Sequence, residues 1–243
     1  MSLSSTTPPE SSSSPLRSIL AAVALTVVAV LASMAGSVVL AIPLLVLQYD
    51  VTSPALFLGL TAAGQLVFIG VTHLYRRRRD GHPVVRIEGL DARTTGIAVG
   101  AAILAILLAT AFSLLLSTLG LLPSSVIGEA GISNPVVYLG LAALTVVLIA
   151  PAEEYLFRGA VQGRLRETFG PVGAVVGSSL LFGSVHLTNY SGSVASVVAG
   201  TLLIAVTGAV LGAAYEYTKN LTVPIVIHAL YNVTLLGLAY ATV

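Results

Sequence analysis

Apolar runs dominate this chain, at about residues 18–47, 53–75, 94–119, 135–169, 172–188, 193–217 and 221–240. Each is near or beyond the roughly 20 residues that an α-helix needs to cross the hydrocarbon of a bilayer. Lipid offers no hydrogen bonds, so a crossing segment must satisfy its own backbone, and a helix does that. The predicted fold is therefore all-α, a polytopic transmembrane helix bundle of about seven spans, with eight as the next count. Composition agrees: 56% of the 243 residues are hydrophobic and only 9% are charged, where a soluble domain carries about a quarter charged residues. The first run is about twice as long as a signal-peptide core and reads as a retained span, extended or kinked before Pro43.

The runs also divide the chain. Residues 1–16, mostly Ser, Thr and Pro, form a predicted disordered cytoplasmic tail. Residues 17–134 supply N-terminal transmembrane helices and loops, and residues 135–243 form the transmembrane unit in which polar residues recur. Arg17, the arginines at 76 to 79, Arg86, Arg93, Arg164, Arg166 and Lys219 fall on alternate connections, and the other connections hold no Lys or Arg. The positive-inside rule then predicts a cytoplasmic N-terminus and an external C-terminus, in what is taken to be the cell membrane. Gly96/Gly100, Gly159/Gly163, Gly173/Gly177 and Gly208/Gly212 recur at intervals of four and predict close helix packing.

Several function classes drop out. A net charge of +1 without a basic, aromatic-laced face argues against nucleic acid. The absence of cysteine removes disulfides, thiolate metal sites and cysteine nucleophiles. His73 and His82 flank the arginine run without ligand spacing and read as interfacial, and Glu129 is the sole charge of the 120–134 linker.

What remains is Pro151-Ala-Glu-Glu-Tyr-Leu-Phe-Arg158, where two acids and an arginine interrupt the apolar run. Carboxylates at membrane depth cost several kcal/mol each, roughly, and persist where a cavity, partner or reaction compensates. On a helix Glu154 sits over Arg158, while Glu153 points about 100° away. Glu154 thus has a partner. Glu153 does not, and a desolvated carboxylate gains by accepting a proton, the profile of a general base. Pro151, just before the acids, removes a backbone hydrogen bond and predicts a local kink with room for water.

Two later runs carry further polar pairs at helical spacing, Phe182-x-x-x-His186 and His228-Ala-Leu-Tyr-Asn232. Counted from the Phe169-Gly-Pro171 break, Glu153 lies 16 residues back and His186 lies 15 forward. At 1.5 Å per residue both stand about 22 to 24 Å up their helices and meet at one height. His228 and Asn232 lie nearer the start of their helix, so reaching that height requires its tilt or an earlier start.

These motifs, in this order and on separate spans, resemble the CAAX protease and bacteriocin-processing (Abi) family of intramembrane endopeptidases, type II CAAX prenyl endopeptidases among them. The match covers about residues 135–240. The resemblance implies that Glu153 and His186 activate water, that His228 and Asn232 stabilise the oxyanion, and that Glu154, Arg158 and Phe182 support the site. It also implies a peptide bond cut near or within the bilayer, a cavity open to the cytoplasmic side, and a peptide or prenylated protein C-terminus as substrate. Glu153, His186 and His228 also have the composition of a zinc site with an open position for water. No His-Glu-x-x-His occurs, and direct acid–base chemistry without a cofactor is the favoured expectation. Two rivals stay open: an ion- or proton-coupled transporter using the same polar residues, and a catalytically silent membrane scaffold.

Overall fold

The computed structural model describes residues 14–79, 84–128 and 134–243; Asp80, His82, Glu129 and most of the N-terminal tail lie outside them. Helix α1 spans Pro15–Val46, α2 Pro54–Arg77 and α3 Ala92–Thr118. A run of 49 residues, Val136–Ser184, follows. Gly170 breaks it with φ 67° and ψ −173°, a conformation open essentially to glycine alone. Pro171, pre-set for the first turn of a helix, starts the next leg. The break leaves α4 (residues 136–169) and α5 (residues 171–184). Helix α6 (Val194–Thr218) and α7 (Thr222–Ala241) complete the chain.

Among the described residues, six helical runs are long and apolar enough to cross a membrane, and the Gly170 turn makes seven helical legs of them. The protein is an integral membrane protein with an all-α bundle. Large apolar side chains face outward along it, among them Leu31, Leu107 and Val147 at 60%, 61% and 70% exposure. Such a belt suits lipid and not water.

Local chemistry sets the helix ends. Ser14 accepts from the Arg17 amide with Pro15 at the first turn of α1. Asp91 and Thr94 form a reciprocal capping box at α3, and Ser193 accepts from the Ser196 amide at α6. Outside the helices, Ser124–Ser125 (β1) pairs antiparallel with Tyr190–Ser191 (β2) at one end of the bundle. At the other end Arg86 bridges to Asn220, and Asn220 exchanges two hydrogen bonds of 3.1 Å with the Glu88 backbone.

Helix α4 is central. Its Leu156, Phe157 and Val161 pack with Ala22, Leu25 and Ala29 of α1 and Phe68 of α2. A second cluster joins Ala98 and Ala102 of α3 to Leu211 of α6 and Val223 and Ile227 of α7. Helix α4 is not regular: π-helical turns at Thr145–Ile149 and Phe157–Gln162 flank the α-helical Ala150–Leu156. Wide turns of this kind concentrate at functional sites, and the first accommodates the missing N–H of Pro151.

The glycine pairs do not all pack as their spacing predicts. A Cβ at Gly96 or Gly100 would meet nothing within 4 Å, whereas one at Gly208 or Gly212 would meet Phe182 or Gln162 at 3.0 and 2.9 Å. Spacing alone does not say whether a helix face meets protein or lipid. The closest backbone approach is at Gly183, outside any pair, where a Cβ would stand 2.5 Å from the Thr201 carbonyl oxygen. Gly183→Leu is expected to destabilise the α5–α6 contact by about 1–3 kcal/mol or more through overpacking. Thermal unfolding in detergent will read this as a lowered midpoint, while Gly100→Leu leaves the midpoint near that of the unaltered protein.

Candidate active site

Three helices bring six of the seven singled-out side chains together. Glu153 and Glu154 come from α4 between its π-turns, His228 from α7, and Phe182 and His186 from the end of α5. Glu154 and Arg158 are fully buried and paired, with Arg158 Nε donating to Glu154 Oε2 at 2.9 Å. The other oxygen, Glu154 Oε1, lies 3.0 Å from His228 Nδ1. An ionised carboxylate with Arg158 on one oxygen only accepts, so His228 donates from Nδ1 and its Nε2 is the nitrogen left for chemistry.

His186 sits just beyond the last turn of α5, which ends at Ser184 and not at residue 188 as its apolar run predicts. Its Nδ1 lies 2.7 Å from the Phe182 carbonyl oxygen. A carbonyl cannot donate, so Nδ1 carries the proton and Nε2 faces Glu153 Oε2 at 3.8 Å. That is too long for a hydrogen bond. Glu153 Oε1 accepts from Gln65 Nε2 at 3.3 Å, but the buried Glu153 Oε2 has no hydrogen-bond partner among the described residues.

Phe182 holds the group in shape. Its ring centroid lies 4.9 Å from that of His186 and 5.8 Å from that of His228, and the Arg158 guanidinium carbon stands 5.3 Å from it. Cation–π and edge-to-face contacts of this kind orient side chains where few hydrogen bonds are on offer. Asn232 is half-buried, one turn beyond His228 on the same helix face, and takes no part in the hydrogen bonds above.

Polar order continues away from the acids. Arg158 Nη1 donates to Ser178 Oγ at 3.2 Å, Ser178 Oγ donates to Gln162 Oε1 at 3.1 Å, and Gln162 Nε2 donates to Glu216 Oε1 at 3.2 Å. Glu216 reaches the basic end of the bundle, where Arg166 and Lys219 meet it. Gln65, Gln162, Ser178 and Glu216 were not among the candidates read from the sequence. Gln65 had a signal, being the one amide in α2 and set within its apolar stretch, and Gln162 another, since it extends the four-residue stripe of Glu154 and Arg158.

No three His, Asp or Glu side chains among the described residues converge as a metal-holding group. Glu153 and His186 face each other, while His228 gives its Nδ1 to Glu154, itself paired with Arg158.

The fold and site define a membrane-embedded helical protein whose polar core is an acid–imidazole cluster. Residues 135–234 match the family model described as Type II CAAX prenyl endopeptidase Rce1-like. That segment is similar to this family of peptidases, in agreement with the resemblance carried by the three motifs. Comparison with curated proteins and with solved structures gave no match.

Removing either partner of the buried pair strands the other charge, at a cost of about 3–5 kcal/mol. Glu154→Gln and Arg158→Met are each expected to lower the thermal midpoint in detergent, and the double variant to lose less than the two single losses added together.

Proposed function

We propose that the protein is an intramembrane endopeptidase that hydrolyses a peptide bond near or within the bilayer by a water that Glu153 and His186 activate. One observation carries this reading. In the neutral ring that donates from Nδ1, His186 Nε2 is an acceptor like Glu153 Oε2, and the two stand 3.8 Å apart, beyond hydrogen-bond reach. A single water has two O–H donors and suits that pair. Held so, it turns a lone pair toward an incoming carbonyl carbon. As its oxygen bonds to that carbon, Glu153 takes a proton from the water. The carbonyl oxygen becomes an oxyanion, which His228 and Asn232 stabilise by donated hydrogen bonds. Donation from His228 Nε2 requires both ring nitrogens to carry protons, with Glu154 as the counter-ion. When the tetrahedral centre collapses, the C–N bond breaks and Glu153 returns the proton to the departing amine.

The match of residues 135–234 to a CAAX prenyl endopeptidase family model supports a peptide or prenylated protein C-terminus as the substrate. The mechanism is proposed to need no cofactor, since the acid and imidazole supply the proton transfers. The basic end of the bundle is proposed to face the cytoplasm, with the N-terminus there and the C-terminus outside the cell membrane.

Purified protein in detergent, offered prenylated and unprenylated peptides, tests the reading. Glu153→Gln is expected to lower cleavage by about 10²–10⁴-fold or more, as loss of a general base does, with its thermal midpoint retained. A strong zinc chelator should leave wild-type cleavage unchanged. Full activity in Glu153→Gln would sink the assignment, and ion or proton flux without cleaved product would point to a transporter.

A further inference from the structure

The two adjacent acids are held very differently. Glu154 is fixed at both oxygens, by Arg158 and by His228, whereas the Glu153 side chain takes a single hydrogen bond among the described residues, from Gln65 Nε2 to its Oε1 at 3.3 Å. The terminal torsion of a glutamate is soft and roughly two-fold. A bond at one oxygen therefore decides where the other points, and here the other is Oε2, turned to His186 Nε2 at 3.8 Å.

Gln65 comes from α2, outside the residues 135–234 that match the peptidase family model. Packing sets its place. Contacts tie α2 to α4 in order along both helices: a Cβ at Gly140 would collide with the Leu58 side chain, Gln65 meets Glu153, and Arg76 donates to the Gly159 carbonyl oxygen with its guanidinium over the Tyr155 ring at 5.9 Å. Gln65 and Arg76 are eleven residues apart, which is three helical turns to within about 20°, so one stripe of α2 carries both. One residue before the amide, Gly64 lets α2 close on α1, where a Cβ would stand 2.6 Å from Ser33 Oγ. The rotation and depth of α2 are thus set by its neighbours on two sides.

The amide is placed for Glu153 and not for its own satisfaction. Gln65 Oε1 is buried with no hydrogen-bond partner among the described residues, so the side chain gives one hydrogen bond and leaves its acceptor unmet. A buried polar atom left unmet disfavours the fold, and a lone amide within the apolar stretch of a membrane helix is retained where it serves a site.

We infer that Gln65 is a positioning residue for the hydrolysis: by donating to Glu153 Oε1 it aims Oε2 at the water shared with His186, so that α2 completes a site whose other members come from α4, α5 and α7. This rests on the hydrolase reading for the reaction that Glu153 performs. Gln65 touches neither the water nor the substrate in this role and acts through the carboxylate alone.

The test takes two readouts on the full-length chain in detergent. Turnover of an S-farnesylated peptide is compared among wild type, Gln65→Met, which keeps the length and removes the donor, and Gln65→His, whose Nε2–H donates at a similar reach. Gln65→Met is expected to lower kcat by about 10²-fold, the scale of a misplaced reacting group, with KM within about threefold of wild type, and Gln65→His to recover roughly tenfold of that loss. Thermal midpoints are measured in parallel for Gln65→Met, Glu153→Leu and the double variant. The double variant is expected to lose less than the two single losses added together, because removing both partners strands no polar group.

Wild-type kcat in Gln65→Met overturns the inference and leaves the hydrolase reading intact. A raised KM with kcat unchanged also overturns it, since Gln65 would then be a substrate contact, and so do midpoint losses that simply add. If wild type cleaves no peptide while the midpoints are coupled, the hydrolase reading falls and the hold of Gln65 on Glu153 stands.

Discussion

The buried pair of Glu154 and Arg158 is the interaction on which the rest of this structure depends. Two full charges at zero exposure would cost several kcal/mol each if left alone, so every polar neighbour that helps to satisfy them is fixed in place by that need. Arg158 orders Ser178, Ser178 orders Gln162, and Gln162 reaches Glu216. On the other side Glu154 holds His228 Nδ1, which selects the tautomer of the ring and the nitrogen it offers. One ion pair thus joins α4, α5, α6 and α7 through polar contacts, where apolar packing alone gives lipid little reason to yield.

Glu153 has the opposite character. Its neighbour is saturated, while it keeps one oxygen without a hydrogen-bond partner among the described residues, and that oxygen faces an imidazole nitrogen whose own tautomer is set by a backbone carbonyl. Adjacent, chemically identical residues are driven apart in role by environment alone. The π-turns on each side of the acids contribute, because they let α4 carry Pro151 and both carboxylates without a break.

Charge organises the bundle at a larger scale. Arg79, Arg164, Arg166 and Lys219 and their acidic partners Glu167 and Glu216 gather at one end, and the β1–β2 pair closes the other with uncharged residues.

The chain's hydropathy determined a great deal by itself. Lipid leaves an apolar run little choice but a helix, so the seven legs fall within a few residues of their expected ends, and Gly170 with Pro171 dictates the turn between α4 and α5. The four-residue spacing of Glu154 and Arg158 likewise foretold their pairing, because it is a property of one helix. What the sequence could not decide is everything that depends on which faces meet. Gly96 and Gly100 face away from protein though their spacing promised packing; Gln65 reaches Glu153 from a helix with no motif; His228 gives its Nδ1 to Glu154 on another helix. Helical periodicity fixes relations within a segment, whereas contacts between segments arise from the rotation and depth of each helix against its neighbours, and only tertiary packing sets those.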